Sequence, residues 1–149
     1  MRSWKKLLAA SVLVVISCSA IAPDGVVAEP NKFAVQDDKC MASAIYYEAR
    51  GEPMVSKKAT QETILHRSWA TGKSVCAVVK QRAQFSWWPE KPIRQFDDEM
   101  KWLLHEVKAA PPVLKDENYM HFYSGNRKPS WARKMYCRLI GSQHYCKEK

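Results

Sequence analysis

Two carboxylates stand four residues apart in Tyr46-Tyr47-Glu48-Ala49-Arg50-Gly51-Glu52-Pro53, with an arginine and a glycine between them. Gly51 and Pro53 mark this as a point where a helix stops. Met41, Ile45 and Glu48 fall at i, i+4 and i+7, so Glu48 continues an apolar stripe. A carboxyl group on a last helical turn faces the negative end of the helix dipole. Buried there among tyrosines, it should keep its proton to unusually high pH. A carboxylic acid still protonated near neutral pH can donate to a glycosidic oxygen, and the carboxylate it leaves can act as the later base. The competing role for Glu48 is an ion pair with Arg50 or Arg67 that ties down a helix end. Glu52 lies beyond the stop. It is expected to be solvated or bonded to backbone N–H groups, in a supporting part beside the substrate.

Gln84-Phe85-Ser86-Trp87-Trp88 is a second constellation. Flat aromatic faces pack against pyranose rings, and amide and hydroxyl groups bond sugar hydroxyls and N-acetyl groups. The same residues also fit a packed loop anchored by tryptophan. Two adjacent tryptophans rarely both point inward, so one is expected to face solvent or ligand. The third constellation is Asn118-Tyr119-Met120-His121-Phe122-Tyr123, followed by Pro129-Ser130-Trp131. It can line a polar slot beside Glu48, with His121 and Tyr123 on the substrate, or form a strand whose aromatics fill the core. His66 and His144 read as partners of backbone or water. His105-Glu106 lacks the second histidine of a zinc-protease helix, and no Cys-x-x-Cys occurs, so no metal and no cofactor is expected. Nucleophile elbows, phosphate loops and cysteine-protease patterns are absent from the sequence.

The elements that must position these residues are mostly helical. Asp37 or Asp38 can cap a helix to about Ala49. Ser56 can cap a second, Lys57 to about Thr71, closed by Gly72. Ser74 can cap a third, Val75 to about Arg82. Ile93 to Ala110 returns to helix, with Phe96, Met100, Leu103, Leu104 and Val107 on one face, and Pro111-Pro112 ends it. Ser130 can cap a short helix to about Tyr136. Arg138 to Tyr145, with Gly141-Ser142 in the middle, reads as a small hairpin. The expectation is one α+β domain, mainly helical, with a cleft.

The first residues carry Arg2, Lys5 and Lys6, then an apolar run from Leu7 to Ile16. This is the pattern of a signal peptide. Residues 1–28 are assigned to it, with cleavage after Val26-Val27-Ala28. A lipoprotein signal with lipid on Cys18, or an uncleaved anchor reaching Ala22, are the alternatives. All three send the chain out of the cytoplasm, to periplasm or exterior. Residues 29–36 read as a linker and 37–149 as the domain. Loss of Arg2, Lys5, Lys6 and Asp24 leaves 21 of the 24 basic and 14 of the 15 acidic side chains, a net +7. Such a charge suits a polyanionic target or simple solubility. Cys40, Cys76, Cys137 and Cys146 remain, an even number that in an oxidising compartment implies two disulfides with three possible pairings. Cys137 and Cys146 flank the expected hairpin, which favours that pair and leaves Cys40 with Cys76.

Taken together, these stretches resemble the SleB-type cell wall hydrolases, the family of spore-cortex-lytic and related peptidoglycan-cleaving enzymes. Ala44 through Pro53 resembles the family's Glu-Ala-Arg-Gly-Glu signature. Ile64-Leu65-His66-Arg67 is similar to its Leu-Asn-Arg helix end. Val75-Cys76-Ala77-Val78-Val79 and Gln84-Phe85-Ser86-Trp87 resemble its Cys-x-Val-Val and Gln-Phe-Ser elements, and His121-Phe122-Tyr123, Pro129-Ser130-Trp131 and Ile140-Gly141 its C-terminal portion. The resemblance spans residues 40–145. It implies a compact lysozyme-like domain, cleavage between N-acetylmuramic acid and N-acetylglucosamine, and Glu48 as the catalytic acid. It also directs attention to Tyr47, Glu52, Gln84, Phe85, Ser86, Trp87, His121 and Tyr123 as substrate-binding residues. Three positions depart from the pattern: His66 replaces an asparagine, Gln143 stands where the family has a histidine (His144 is one place late), and Ser56 replaces a glycine.

With one carboxylate suited to proton transfer, a lytic transglycosylase is expected, acting as a monomer on peptidoglycan glycan strands. A hydrolytic muramidase would commonly need a second carboxylate about 5–9 Å away, for which Asp97, Asp98 and Asp116 are the candidates. A wall-binding module without catalysis is the alternative from another class. Export and disulfides argue against a nucleic-acid partner, and membrane contact is expected only through the signal or a lipid.

Overall fold

The computed structural model describes residues 32–149. The expected signal peptide and its expected cleavage site, with Cys18, lie outside the described residues. Helix α1 spans Lys32–Ala49, α2 Met54–Thr71, α3 Val75–Val79 and α4 Asp98–Ala109. Strands β1 (Tyr119–Ser124), β2 (Tyr136–Ile140) and β3 (Gln143–Lys147) form an antiparallel sheet in the order β1-β3-β2, with a 3-10 turn at Ser130–Ala132 before β2. The class is the α+β, mainly helical one expected.

Helix α1 starts at Lys32 and not at an Asp37 or Asp38 cap, so the expected linker is helical over 32–36. The Asp37 carboxylate is used elsewhere: it accepts from the Cys76 N–H at 2.9 Å. Pro53, extended at φ −63° and ψ 160°, starts α2, where its ring costs no hydrogen bond. Ser56 is consequently inside the first turn and not the cap; its hydroxyl donates to the Ile140 carbonyl at 2.9 Å. Ser74 caps α3 as expected, accepting from the Ala77 N–H. That helix ends early, at Val79, and Ala83 takes φ +62° in the turns that follow. Asp97 caps α4 by accepting from the Met100 N–H, so the helix begins five residues later than Ile93. Ile93 and Phe96 still pack on the core from an extended segment. The helix expected after Ser130 is the 3-10 turn alone.

Helix α2 touches every other helix and strand. Nine of its side chains are buried, and most are polar. Each polar contact then has to be made, because a buried group without a partner costs on the order of 1–3 kcal/mol. The Lys58 ammonium donates to Gln61 Oε1 and the Lys108 carbonyl. The Glu62 carboxylate accepts from the Val113 and Leu114 N–H groups, and His66 Nδ1 lies 3.1 Å from the Tyr119 carbonyl. One apolar cluster sits between α1, α3, α4 and the Phe85–Trp87 loop; a second, including Leu114, Tyr119, Ile140 and Tyr145, lies under the sheet.

Both expected disulfides form. Cys40–Cys76 ties α1 to α3 with Cα atoms 5.2 Å apart, and Cys137–Cys146 joins opposed residues of β2 and β3 at 4.1 Å. Among the described residues no helix is long and apolar enough to cross a membrane.

Candidate active site

Glu48 occupies the last turn of α1, half-buried at the edge of a cleft of about 380 Å³. The turns from Ala83 to Ser86 form one wall. Residues Phe122 to Ser124 of β1 and Gln143 of β3 form the other. Burial raises the Glu48 pKa above the usual carboxylate range. Two donors oppose the shift: the Trp87 indole N–H first, then the charge of Arg67. The indole N–H is buried behind Glu48 and reaches no partner in full hydrogen-bond geometry. Its nearby dipole still favours the ionised carboxyl. Arg50 is not the partner of Glu48; its guanidinium donates to the Tyr46 hydroxyl at 3.2 Å. Arg67 couples to Glu48 by charge, but none of the ion pairs among the described residues includes either side chain.

The expected substrate-binding residues divide into four groups. Gln84, Phe85, Ser86 and Tyr123 line the cleft. Tyr47 and Trp87 do not: their rings pack on each other at 4.7 Å, and the Tyr47 hydroxyl donates to the Pro92 carbonyl. Trp87 is only 5% exposed, so it is a core anchor that backs Glu48 and not a sugar platform. Trp88, half-buried, is the more open of the two tryptophans. Glu52 is held by the β2–β3 turn, where the Ser142 hydroxyl and N–H donate to its two carboxylate oxygens and keep its pKa low. It is bonded to a backbone N–H, as the sequence suggests, and does not line the cleft. His121 lines an adjoining hollow with Arg67.

Phe122 of the third constellation lines the cleft too, and so do Gln143, Ser124 and Ala83, which sequence reasoning does not name as cleft residues. Gln143 has two signals, its position just after the Gly141-Ser142 turn and its match to the histidine of the family pattern. Nothing in the sequence announces a left-handed alanine at position 83. Of the two residues that could stand in for the family's histidine, Gln143 takes the place at the site. Its Nε2 donates to the Glu48 carbonyl, whereas His144 stacks on Tyr123 with ring centres 4.6 Å apart and faces a separate hollow beside Ser142. Ser56 fills the space a glycine would leave under Gly141, whose φ is +61°; a Cβ there would overlap Ser56 Oγ and Glu52 Oε2.

None of the candidate second carboxylates reaches the cleft. Asp97 caps α4, Asp98 pairs with Lys101, and Asp116 pairs with Lys147. Among the described residues no cluster of histidine, cysteine, aspartate or glutamate is arranged to hold a metal. The site is built for one ionisable acid in a polar groove.

The fold is shared with two solved structures. The catalytic domain of the germination-specific lytic transglycosylase SleB from Bacillus anthracis superposes with a TM-score of 0.64 at 22% identity, covering 80% of this chain and 100% of that domain. The catalytic domain of the Bacillus cereus SleB protein gives 0.59 at 24%, covering 83% and 99%. This is the lysozyme-like architecture that the sequence resemblance implied. No curated protein matches the chain. The model of the Cell Wall Hydrolase family matches residues 51–146, beginning three residues after Glu48. That match takes in both strands of the hairpin, the cleft loop and all of α2, and the protein belongs to the cell wall hydrolase family.

Proposed function

We propose that the protein cleaves the bond between N-acetylmuramic acid and N-acetylglucosamine in peptidoglycan as a lytic transglycosylase, with Glu48 as its single acid and base. The observation that carries this is a half-buried glutamate with a raised pKa on a cleft that holds no second carboxylate. Glu48 gives its proton to the glycosidic oxygen, and the bond from muramyl C1 to that oxygen breaks. The muramyl acetamido oxygen stabilises the oxocarbenium-like centre. The Glu48 carboxylate then takes the proton of the muramyl C6 hydroxyl, and O6 closes on C1 to give a 1,6-anhydro ring. No water is consumed, and Glu48 ends protonated, as it began.

In this reading Gln84, Ser86 and Tyr123, which line the cleft, bond sugar hydroxyls and acetamido groups. The B. anthracis protein that shares this fold is itself a lytic transglycosylase. Two disulfides and a wall polymer as substrate support export, with residues 1–28 as the signal and the enzymatic domain after it. Mass spectrometry of products from purified glycan strands tests the reaction. Fragments with an anhydro end and no gain of water are expected. Reducing ends with one water added per cut would identify a hydrolase instead, and sacculi bound but never cleared would identify a wall-binding module.

A further inference from the structure

Beside the Glu48 cleft lies a second hollow of about 250 Å³, walled by Arg67, His121, Phe122 and Trp131. Ala83, Gln84 and Phe122 border both spaces, so they form the ridge between them. The backbone of that ridge is strained at Ala83, φ +62°, as chain segments at ligand sites often are.

Arg67 is the unusual group here. Its guanidinium is largely withdrawn from water, which lowers its pKa to about 10. It has five N–H donors. The one hydrogen bond of its guanidinium among the described residues runs from Nε to the Met120 carbonyl, and its buried Nη1 has no partner. Phe85 and Phe122 flank the guanidinium carbon at 5.6 and 5.7 Å. These rings hold the plane in place and supply no acceptor. A buried cation short of acceptors is costly to keep and is most useful where an anion arrives. His121 does not compete as a second cation, because burial and the Arg67 charge lower its pKa, against a smaller opposing effect of Glu148. Trp131 is 46% exposed and places its ring 5.6 Å from His121 and 5.8 Å from Tyr123, an open apolar wall at the junction with the cleft.

We propose that this hollow is a carboxylate subsite, in which Arg67 receives an acidic group of the wall strand while Glu48 acts on the neighbouring glycosidic bond. This rests on the function proposed above. The planar guanidinium fork matches a carboxylate and not an isolated sugar hydroxyl. Two parts of a muramyl unit can supply that group: its lactyl carboxyl when free, or the acidic side of a peptide stem when the lactyl group is amide-linked.

The test measures binding without turnover. Glu48→Gln protein is titrated calorimetrically with three soluble ligands: the N-acetylglucosaminyl-muramic acid disaccharide, its lactyl methyl ester, and a disaccharide-peptide. The free acid should bind about 10-fold or more tightly than the ester, and adding Arg67→Gln should abolish the difference. A disaccharide-peptide that binds about as tightly as the free acid identifies the stem as a source; one that binds as weakly as the ester restricts the source to the lactyl group. Equal affinity for acid and ester with no gain from the peptide, or a preference that survives Arg67→Gln, overturns the subsite. If Arg67→Gln does not fold, the acid-against-ester comparison on Glu48→Gln decides alone. Wild-type protein that cuts strands but shows no acid preference sinks only the subsite. Acid preference without any cutting sinks only the lyase.

Discussion

Gln143 donates its side-chain amide to the backbone carbonyl of Glu48 across 2.8 Å. Its other end, Oε1, lies 2.6 Å from the Tyr145 hydroxyl, which also reaches the Ser56 carbonyl and Thr60 Oγ1. The sheet thus grips the last turn of α1 through one buried amide, and the acid is positioned by a residue ninety-five places away in sequence. Gln143→Ala should cost about 1–3 kcal/mol in urea unfolding, since it strands buried partners. It should also lower kcat more than it raises KM. Gln143→His keeps one donor and one acceptor and should recover part of kcat. Equal kcat loss in both variants would deny Gln143 a positioning role.

Glu48→Gln should reduce strand cleavage by about 10²–10⁴-fold, the usual worth of a general acid–base group. The same change should raise the melting temperature at neutral pH. The folded pKa of Glu48 lies above its unfolded value, so its ionisation opposes folding once the pH exceeds the unfolded value, and the penalty is complete above the folded one. Below the ordinary carboxylate range, about pH 4, the penalty vanishes and so should the advantage of glutamine. Calorimetric scans of both proteins across pH check the sign.

Cleavage rate should fall as pH rises through the raised pKa of Glu48, because the protonated form starts the reaction. Replacing Trp87 by phenylalanine removes the larger of the two opposing influences and should move that limb to higher pH. A limb unmoved by Trp87→Phe would mean that the indole does not act on the acid.

The two disulfides should differ in worth. Cys40–Cys76 closes a separation of 36 residues and Cys137–Cys146 one of 9. Chain entropy puts the first at about 4 kcal/mol and the second at about 2.5 kcal/mol. Paired serine substitutions, compared by urea unfolding, should keep that order.

Glu62→Gln should destabilise without harming chemistry. The carboxylate accepts from the Val113 and Leu114 N–H groups and does not line the cleft, and an amide trades one of its two charged acceptor oxygens for an NH2 that cannot accept. A loss of about 1.5–3 kcal/mol is expected with kcat unchanged.

Sequence made the punctuated parts of this molecule readable. Ser74 and Gly72 bound their helices as expected, and Gly141-Ser142 turned the hairpin that brings Cys137 to Cys146. Apolar period failed where tertiary packing borrowed it: Ile93 and Phe96 continue the stripe of α4, yet they reach the core from extended chain, and Asp97 sets the true start. Ser56 had the right chemistry for a cap, but Pro53 already occupied the helix start. Glu48 was legible because a carboxylate breaks an apolar stripe. Trp87 was ambiguous because burial and sugar stacking call for the same side chain. The roles of Gln143 and Arg67 depend on contacts across 95 and 53 residues, which no local pattern encodes.

Behind Glu48, the indole of Trp87 keeps a proton acceptor within reach of its idle N–H. Burial by itself would make the glutamate a reluctant giver. A nearby dipole that welcomes the anion lets go of that grip without dissolving it. Under the proposed reaction the same oxygen atoms must surrender hydrogen in one half-cycle and reclaim it in the next. The tryptophan underneath would then be the counterweight that lets one residue perform both halves.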